Sequence, residues 1–340
     1  MAIEATEKIR IGGLKFSDEQ VLVRLPEQLA AEAELPGVLS ALMQQKINVS
    51  FFCADHTVPF QAGFCLERDD LSRCRAVLEA MLAAGGPQLD IVGAVGTLII
   101  FPHQGKLAVL GKLLGVFGRC RLPLFSLCSS LSGLAVNTGY PLLEAAAAAI
   151  QKVFVLPDNH APFRPEPLAY PGDGSLSMSL TTPVETVASY WEPLIRIYGI
   201  TRVSGLSITT VVFPETELEP LGEALQRAES GLGRFDLALM QRIDAHRFRL
   251  MIFDRGGLAR SARLLPGNTD HGSGDLLSLH GPHFQDRYGV AHAAVSCLHS
   301  HGVNVRAVGC TGSSIQLAVP ARIGDVAARA LTDVFIVPKV

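Results

Sequence analysis

The stretch Asp275-Leu276-Leu277-Ser278-Leu279-His280-Gly281-Pro282-His283-Phe284-Gln285-Asp286-Arg287-Tyr288-Gly289-Val290-Ala291 carries the pattern from which the rest of the chain reads. An extended apolar run (276–279) passes through a polar loop into a helix expected at 289–300, which ends near Gly302-Val303-Asn304-Val305. Two more extended runs (304–308 and 315–319) and a second helix (323–334) complete the unit. Alternation at period 2 marks the strands, and apolar residues three and four apart mark the helices. A βαββαβ unit of this kind buries one sheet face under its helices and leaves a sheet edge for another copy.

The same succession of periods recurs three times upstream. In the first copy, 20–24 alternates as a strand, 35–46 is helical, 48–54 and 59–66 are extended, and 69–84 is a second helix stopped by Gly85-Gly86-Pro87. In the second, strands are expected at 96–101, 124–128 and 133–137, with helices at 106–119 and 141–153. Leu107, Leu110, Leu113, Leu114 and Phe117 share one face of the first of these helices. Five consecutive alanines in the second imply close approach to another backbone. After a Pro-rich connector (157–171), a third copy is expected with a strand at 176–180, a helix at 184–198 kinked by Pro193, extended runs at 203–208 and 210–213, and a helix at 218–229. Residues 235–253 read as one or two strands, and 254–274, with five glycines, as a long mobile loop. The expected boundaries are 1–86, 87–158, 159–233 and 234–340. The expected class is α/β (α+β): four ferredoxin-like βαββαβ units forming paired side-by-side antiparallel sheets with helices on one face.

Composition bounds what such a chain does. It has 340 residues, 48% of them hydrophobic, more than one small core uses, so part of that surplus is expected to cover interfaces. Net charge is −3 and Lys/Arg residues form no cluster, which argues against a nucleic-acid or anionic-membrane surface. The start of the chain mixes charges and lacks the apolar core of a signal peptide. The longest apolar stretch, 91–101, is about half of the ~20 residues that span a bilayer, so no membrane segment is expected. Seven cysteines without framework spacing read as reduced core thiols of a cytoplasmic protein.

Several stretches carry a family resemblance. The opening Ile9-Arg10-Ile11-Gly12-Gly13-Leu14-Lys15-Phe16-Ser17-Asp18-Glu19-Gln20-Val21-Leu22-Val23, the helix start Leu35-Pro36-Gly37-Val38 and the strand start Ile47-Asn48-Val49 resemble the regulatory region of aspartate kinases. So do the loop 279–291 and the Ser-rich turns at 129–134 and 310–317. The chain is similar to tandem ACT domains, with that regulatory region written twice. The resemblance implies a non-catalytic, amino-acid-binding regulatory protein of four ACT units. It also implies that units of a pair interleave, with strands near 89–97 and 335–337 crossing between them. A Lys-Phe-Gly-Gly-type kinase start is missing, so kinase activity is not carried over with the resemblance. The copies depart from the pattern too: Gly105-Lys106 and Pro123 replace the family residues in the second copy, Thr201 in the third, and Tyr288 in the fourth.

The physical case for a site rests on the helix start. First-turn amides lack intrahelical partners and lie at the positive end of the helix dipole, so a glycine there admits a carboxylate. Gly289 and Val290, or Gly37 and Val38 after Pro36, would cradle an amino acid's carboxylate, Asp286 would take its ammonium, and Asn304 or Asn48 would bond either end. His283, Phe284, Gln285, Arg287 and Val305 complete the candidate set. The plainer alternative is that Asp286 caps the helix and Asn304 turns the chain.

Other chemistries are weaker. His280, His283, His292, His299 and His301 crowd together, yet no Cys or carboxylate completes a metal-ligand spacing, and no metal is expected. Cys53 and His56 lie on a strand that sends neighbours to opposite faces. No phosphate-cradling glycine loop occurs, and no cofactor is expected. The expected partners are an amino-acid ligand, an enzyme of amino-acid metabolism, and a second copy in a homodimer. Two alternatives stay open: a structural dimerisation module with vestigial sites, and a metal-dependent enzyme using His280 and His283.

Overall fold

The computed structural model describes residues 8–83, 86–157, 195–229, 234–281, 284, 287–312 and 314–337. The first half runs β1 (Ile9–Arg10), β2 (Gly13–Phe16), β3 (Gln20–Arg24), α1 (Glu27–Ala30), α2 (Leu35–Gln44), β4 (Phe51–Asp55), β5 (Gln61–Glu67), α3 (Leu71–Met81), β6 (Asp90–Phe101), α4 (Leu107–Arg119), β7 (Ser126–Ser129), β8 (Leu134–Gly139), α5 (Leu143–Val153) and β9 (Phe154–Val155). The second half runs β10 (Ile195–Arg196), β11 (Gly199–Pro214), α6 (Leu218–Glu229), β12 (Phe235–Arg242), β13 (Arg247–Asp254), α7 (Gly257–Ser261), β14 (Asn268–His280), α8 (Val290–Ser300), β15 (Ala307–Thr311), β16 (Ser314–Pro320), α9 (Gly324–Leu331) and β17 (Phe335–Ile336).

The two halves repeat one plan. Ile-Arg-Ile occurs at 9–11 and again at 195–197. Both copies open a small parallel pair: β1 with β9, placing Ile9 opposite Phe154, and β10 with β17, placing Ile195 opposite Phe335. β2 and β3 in the first half correspond to the single long strand β11, whose register breaks between Val203 and Leu206.

The remaining strands form one large antiparallel sheet in the order β2-β6-β3-β5-β4-β15-β16-β14-β11-β13-β12-β7-β8, and a further β6–β8 pairing returns the ladder to its start. β6 makes this closure possible because its two ends serve different neighbours. Asp90 to Val95 pair with β3, whereas Val95 to Ile100 pair with β8. Alternation along each strand then sends one set of residues inward and the other outward. In β4, Phe51 and Cys53 join the inner cluster with Leu22, Cys128, Leu239, Met251 and Phe253, while Phe52 and Ala54 face the helices. Two outer cores lie under the helices: one beneath α2, α3, α8 and α9, the other beneath α4, α5 and α6. Both faces of the sheet are therefore buried, which is where the surplus of apolar residues goes. All seven cysteines are free thiols and six are buried. Among the described residues, no helix is long and apolar enough to cross a membrane.

One buried ion pair ties the halves together. Arg249 of β13 donates from Nη1 to Asp55 Oδ1 at 2.8 Å and to the carbonyls of Thr57 (2.8 Å) and Pro59 (3.0 Å), and from Nη2 to Val58 (3.1 Å). Both side chains are only 3% exposed.

Three expectations need correction. A helix reaching Tyr198 gives way to strand at Ile195–Arg196 and from Gly199 onward; the connector, the strand at 176–180 and Pro193 fall outside the described residues. The runs 203–208 and 210–213 are one strand, β11. The stretch 254–274 holds α7 and the first half of β14 in place of a mobile loop, because its glycines permit close strand contact. A Cβ on Gly274 would stand 2.8 Å from the Val319 carbonyl oxygen.

Candidate functional site

The sheet brings the first and fourth expected copies side by side through β4 and β15, and their helices α2 and α8 pack across that junction. Gly289 occupies the cap of α8 with φ 87°, a left-handed conformation that suits glycine. Among the described residues, no side chain caps this helix. A Cβ on Gly289 would lie 2.8 Å from Met43 Cγ of α2, so the residue is also a point of close approach. Val290 is buried, and Phe284 (2% exposed) plugs the loop ahead of it against Gly281. His292 pairs with the Pro36 carbonyl across the junction and lies 3.0 Å from the Ser296 hydroxyl. Burial lowers its pKa, and the Pro36 bond opposes that shift.

The expected site residues are thus gathered from both copies, but with different exposure. Leu39, Met43, Phe284, Arg287, Gly289 and His292 help line a space of about 20 Å³ between α2 and α8. That is room for about one water and too little for an amino acid, so the junction is closed to such a ligand. Asn48 is half-buried in the segment before β4, and Asn304 is exposed in the matching segment before β15. The Val305 N–H donates to Glu32 Oε1 at 3.0 Å and its carbonyl pairs with His56 Nδ1, so this backbone is already occupied by side chains. In the first copy the helix begins at Leu35, across Pro36. The Val38 N–H donates to the Glu34 carbonyl, its side chain is in the core, and Gly37 faces α3. Pro36, Gly37 and Val38 consequently present no row of bare amides. His283, Gln285 and Asp286 lie outside the described residues.

The other helix junction, α4 with α6, is built differently. A Cβ on Gly222 would be 2.4 Å from the Gly111 carbonyl oxygen, and one on Gly118 would be 2.6 Å from the Glu219 nitrogen. The two backbones touch along α4, and nothing separates them.

Of the histidines singled out from sequence, His301 pairs with Asp333 at 3.2 Å and His280 lies 5.3 Å from the Tyr198 ring. Among the described residues no group of three metal-ligating side chains comes together.

Sequence reading missed a cavity of about 620 Å³, which lies away from these residues between the loop before α4 and the ends of β12 and β13. Its wall includes His103, Gly105, Arg234, Asp236, Asp254 and Arg260. Burial holds the His103 imidazole below its ordinary pKa, against an opposing bond to the Ser130 carbonyl. Burial raises Asp236; Arg255 opposes that shift and Asp254 adds to it. The signal available was Asp254-Arg255-Gly256-Gly257 at the end of an apolar strand, where charge and turn residues meet.

No protein-family model matches the chain, and no curated protein matches it. Among solved structures, the regulatory subunit of aspartate kinase from Thermus thermophilus aligns with 43% of this chain and 99% of its own, at 18% identity and TM-score 0.36. Aspartate kinase from Clostridium acetobutylicum aligns with 44% of this chain and 37% of its own, at 14% identity and TM-score 0.36. The crystal structure of aspartate kinase from Synechocystis aligns with 98% of this chain at 13% identity and TM-score 0.73. The chain therefore has an aspartokinase-like fold, and it spans 58% of the length of the Synechocystis protein.

Proposed function

We propose that this chain is a regulatory module of four ferredoxin-like ACT-type units that binds an amino acid at the α2–α8 junction and transforms nothing chemically. The strand orders β6-β3-β5-β4 and β14-β11-β13-β12 support two of these units, and β2-β6-β8-β7 and β11-β14-β16-β15 the other two. On this reading the units are nested, in place of four consecutive spans. Strand β2, before the first unit, completes the second, and the first five residues of β11 complete the fourth.

The observation that carries the ligand reading is Gly289: a left-handed cap residue on a helix that no described side chain caps, set against Met43 of the opposing copy. A carboxylate at the first-turn amides of Gly289 and Val290 gains charge-assisted bonds and a favourable dipole. Because the junction holds only about 20 Å³, binding requires α2 and α8 to part. Ligand thereby favours an opened arrangement of the pair over the closed one, a population shift that a dependent enzyme would sense. The likeness to an aspartate kinase favours an enzyme of amino-acid metabolism as that partner, acting from another segment or another chain, and a homodimer fits the same reading.

The test is a thermal-shift screen against the twenty amino acids, followed by calorimetry. A ligand at 100 times its Kd adds about 2.7 kcal/mol to stability, a shift of several degrees. No shift and no heat with any of the twenty at millimolar concentration returns the chain to the structural-module reading.

A further inference from the structure

A smaller cavity, of about 140 Å³, lies where β2, β6 and β8 face the start of β4 and the β15–β16 turn. Register builds its walls from two cross-strand rows. Lys15 pairs with Ile99 and Ile99 with Ala135 in one, and Phe51 pairs with Thr311 in the other. Ile99, Ala135 and Phe51 belong to the inner apolar cluster, so the cavity is a gap at its margin. Val49 and Cys310 line the α2–α8 junction, whereas their chain neighbours Ser50 and Thr311 line this cavity. Successive residues of an extended chain face opposite sides of the sheet, so the two places lie back to back and share no lining residue.

Part of the lining is polar and already satisfied. Gln20 Nε2 donates to Ser50 Oγ at 2.7 Å, Thr97 Oγ1 lies 2.9 Å from Gln20 Oε1, and the Thr97 N–H donates to Ser17 Oγ at 2.8 Å. Two groups are left over. Thr311 is only 4% exposed, and its hydroxyl has no hydrogen-bond partner among the described residues. Lys15 is exposed; its Nζ lies 5.6 Å from the Phe101 ring centroid and has no carboxylate partner among the described residues. None of the described residues lining the cavity is acidic. A buried hydroxyl without a partner is costly, and a recess with a cation, a spare donor and an apolar floor suits an anion with an apolar body.

We propose that this cavity binds a small monocarboxylate with a ring or branched apolar body. Its carboxylate meets Lys15 Nζ and the Thr311 hydroxyl, and its body lies against Phe51, Ile99 and Ala135. Volume sets the size: an apolar cavity of ~150 Å³ takes one six-membered ring, so benzoate and 3-methylbutanoate are of the right order and a longer amphiphile is too large. Lys15 supplies the charge-assisted bond and Thr311 a neutral donor. An amino acid is a poor match, because no acidic side chain lines the recess to receive its ammonium. The inference goes beyond the amino-acid reading of the α2–α8 junction and does not rest on it.

The experiment is titration calorimetry of the full chain with benzoate, 3-methylbutanoate and their neutral amides, with melting curves to verify folding of each variant. Saturable heat at millimolar concentration is expected with at least one carboxylate, and about tenfold weaker binding of its amide. Lys15→Gln, a change at an exposed side chain, is expected to weaken the carboxylate about tenfold and to erase its advantage over the amide. Thr311→Val keeps the shape and removes the unpartnered hydroxyl. The melting temperature of the free variant is expected to hold or rise while the carboxylate binds about threefold more weakly, a combination that a merely structural role would not give. Gly289→Ala, at the α2–α8 junction, is expected to leave this binding unchanged. The proposal is overturned by the absence of saturable heat with both carboxylates, by equal binding of carboxylate and amide, by unchanged affinity in Lys15→Gln or Thr311→Val, or by loss of binding in Gly289→Ala. Amino-acid binding between α2 and α8 is read separately by the thermal-shift screen, so either idea can fail without the other.

Discussion

Replacing Gly222 by alanine should destabilise the protein although it improves the helix. The three atoms nearest a Cβ at this position are all backbone: the Gly111 carbonyl oxygen at 2.4 Å, the Gly115 nitrogen at 2.7 Å and the Gly115 Cα at 3.0 Å. Comfortable contact is about 3.5–4.0 Å, so α4 and α6 must separate by roughly 1 Å, and no rotamer change relieves the clash. Overpacking of this kind costs ~1–3 kcal/mol, and the upper end applies where rigid backbone lies on the far side. Alanine in a helix interior returns about 1 kcal/mol, leaving a net loss of ~2 kcal/mol. The neighbouring Gly115 supplies the control, because a Cβ there has no atom within 4 Å. Gly115→Ala should therefore stabilise by up to ~1 kcal/mol through helix propensity alone. Urea denaturation of the two variants measures the gap, expected near 3 kcal/mol. If Gly222→Ala proves no less stable than Gly115→Ala, backbone contact does not set the α4–α6 distance and the argument fails.

Three further outcomes are expected. Arg249→Met leaves Asp55 buried and uncompensated and should cost ~3–5 kcal/mol in denaturant titration, while a loss below ~1 kcal/mol means the pair does not hold β13 to the loop after β4. The folded-state pKa of His103 lies below its ordinary 6.5, so the stability it contributes is complete above pH 6.5 and is lost as pH falls below that value; a wild-type minus His103→Gln difference should decline there at no more than ~1.4 kcal/mol per pH unit, and a flat difference rules the group out. Gly289→Ala forces a side chain into the left-handed region and against Met43, which should cost ~1–2 kcal/mol and abolish any amino-acid thermal shift that arises at α8; retention of the shift moves that ligand elsewhere.

Local periodicity made the elements legible wherever each strand serves one neighbour. The strand expected at 20–24 is β3, and 235–253 resolves into β12 and β13. It was silent where a strand serves two. β6, β11 and β14 each take a second partner over only part of their length, and an alternating pattern carries no mark of where that partner begins. The glycines of 254–274 misled because Gly272 and Gly274 lie within a strand, where glycine also marks close approach. The repeated Ile-Arg-Ile at 195–197 was the available sign that a second half begins there, and it outweighs the helical spacing read across it. At the candidate site, Gly289 was legible as a glycine at a helix start, and its left-handed φ of 87° is what the structure adds. The closeness of Met43, and the use of the Val305 amide by Glu32, depend on residues hundreds of positions away. The charged cavity draws its walls from separate segments, none of which forms a motif.

The strands that run between two partners give the molecule a stiff transmission. A slide of β6 relative to β3 is also a slide relative to β8, because one continuous backbone carries both registers. With the ladder returning on itself, every strand of the ring has a neighbour on each side, so such a slip meets a partner in either direction. A few tenths of an ångström gained at one helix pair would travel around the hoop and reappear at the opposite pair, making the ring itself the conductor between remote pockets.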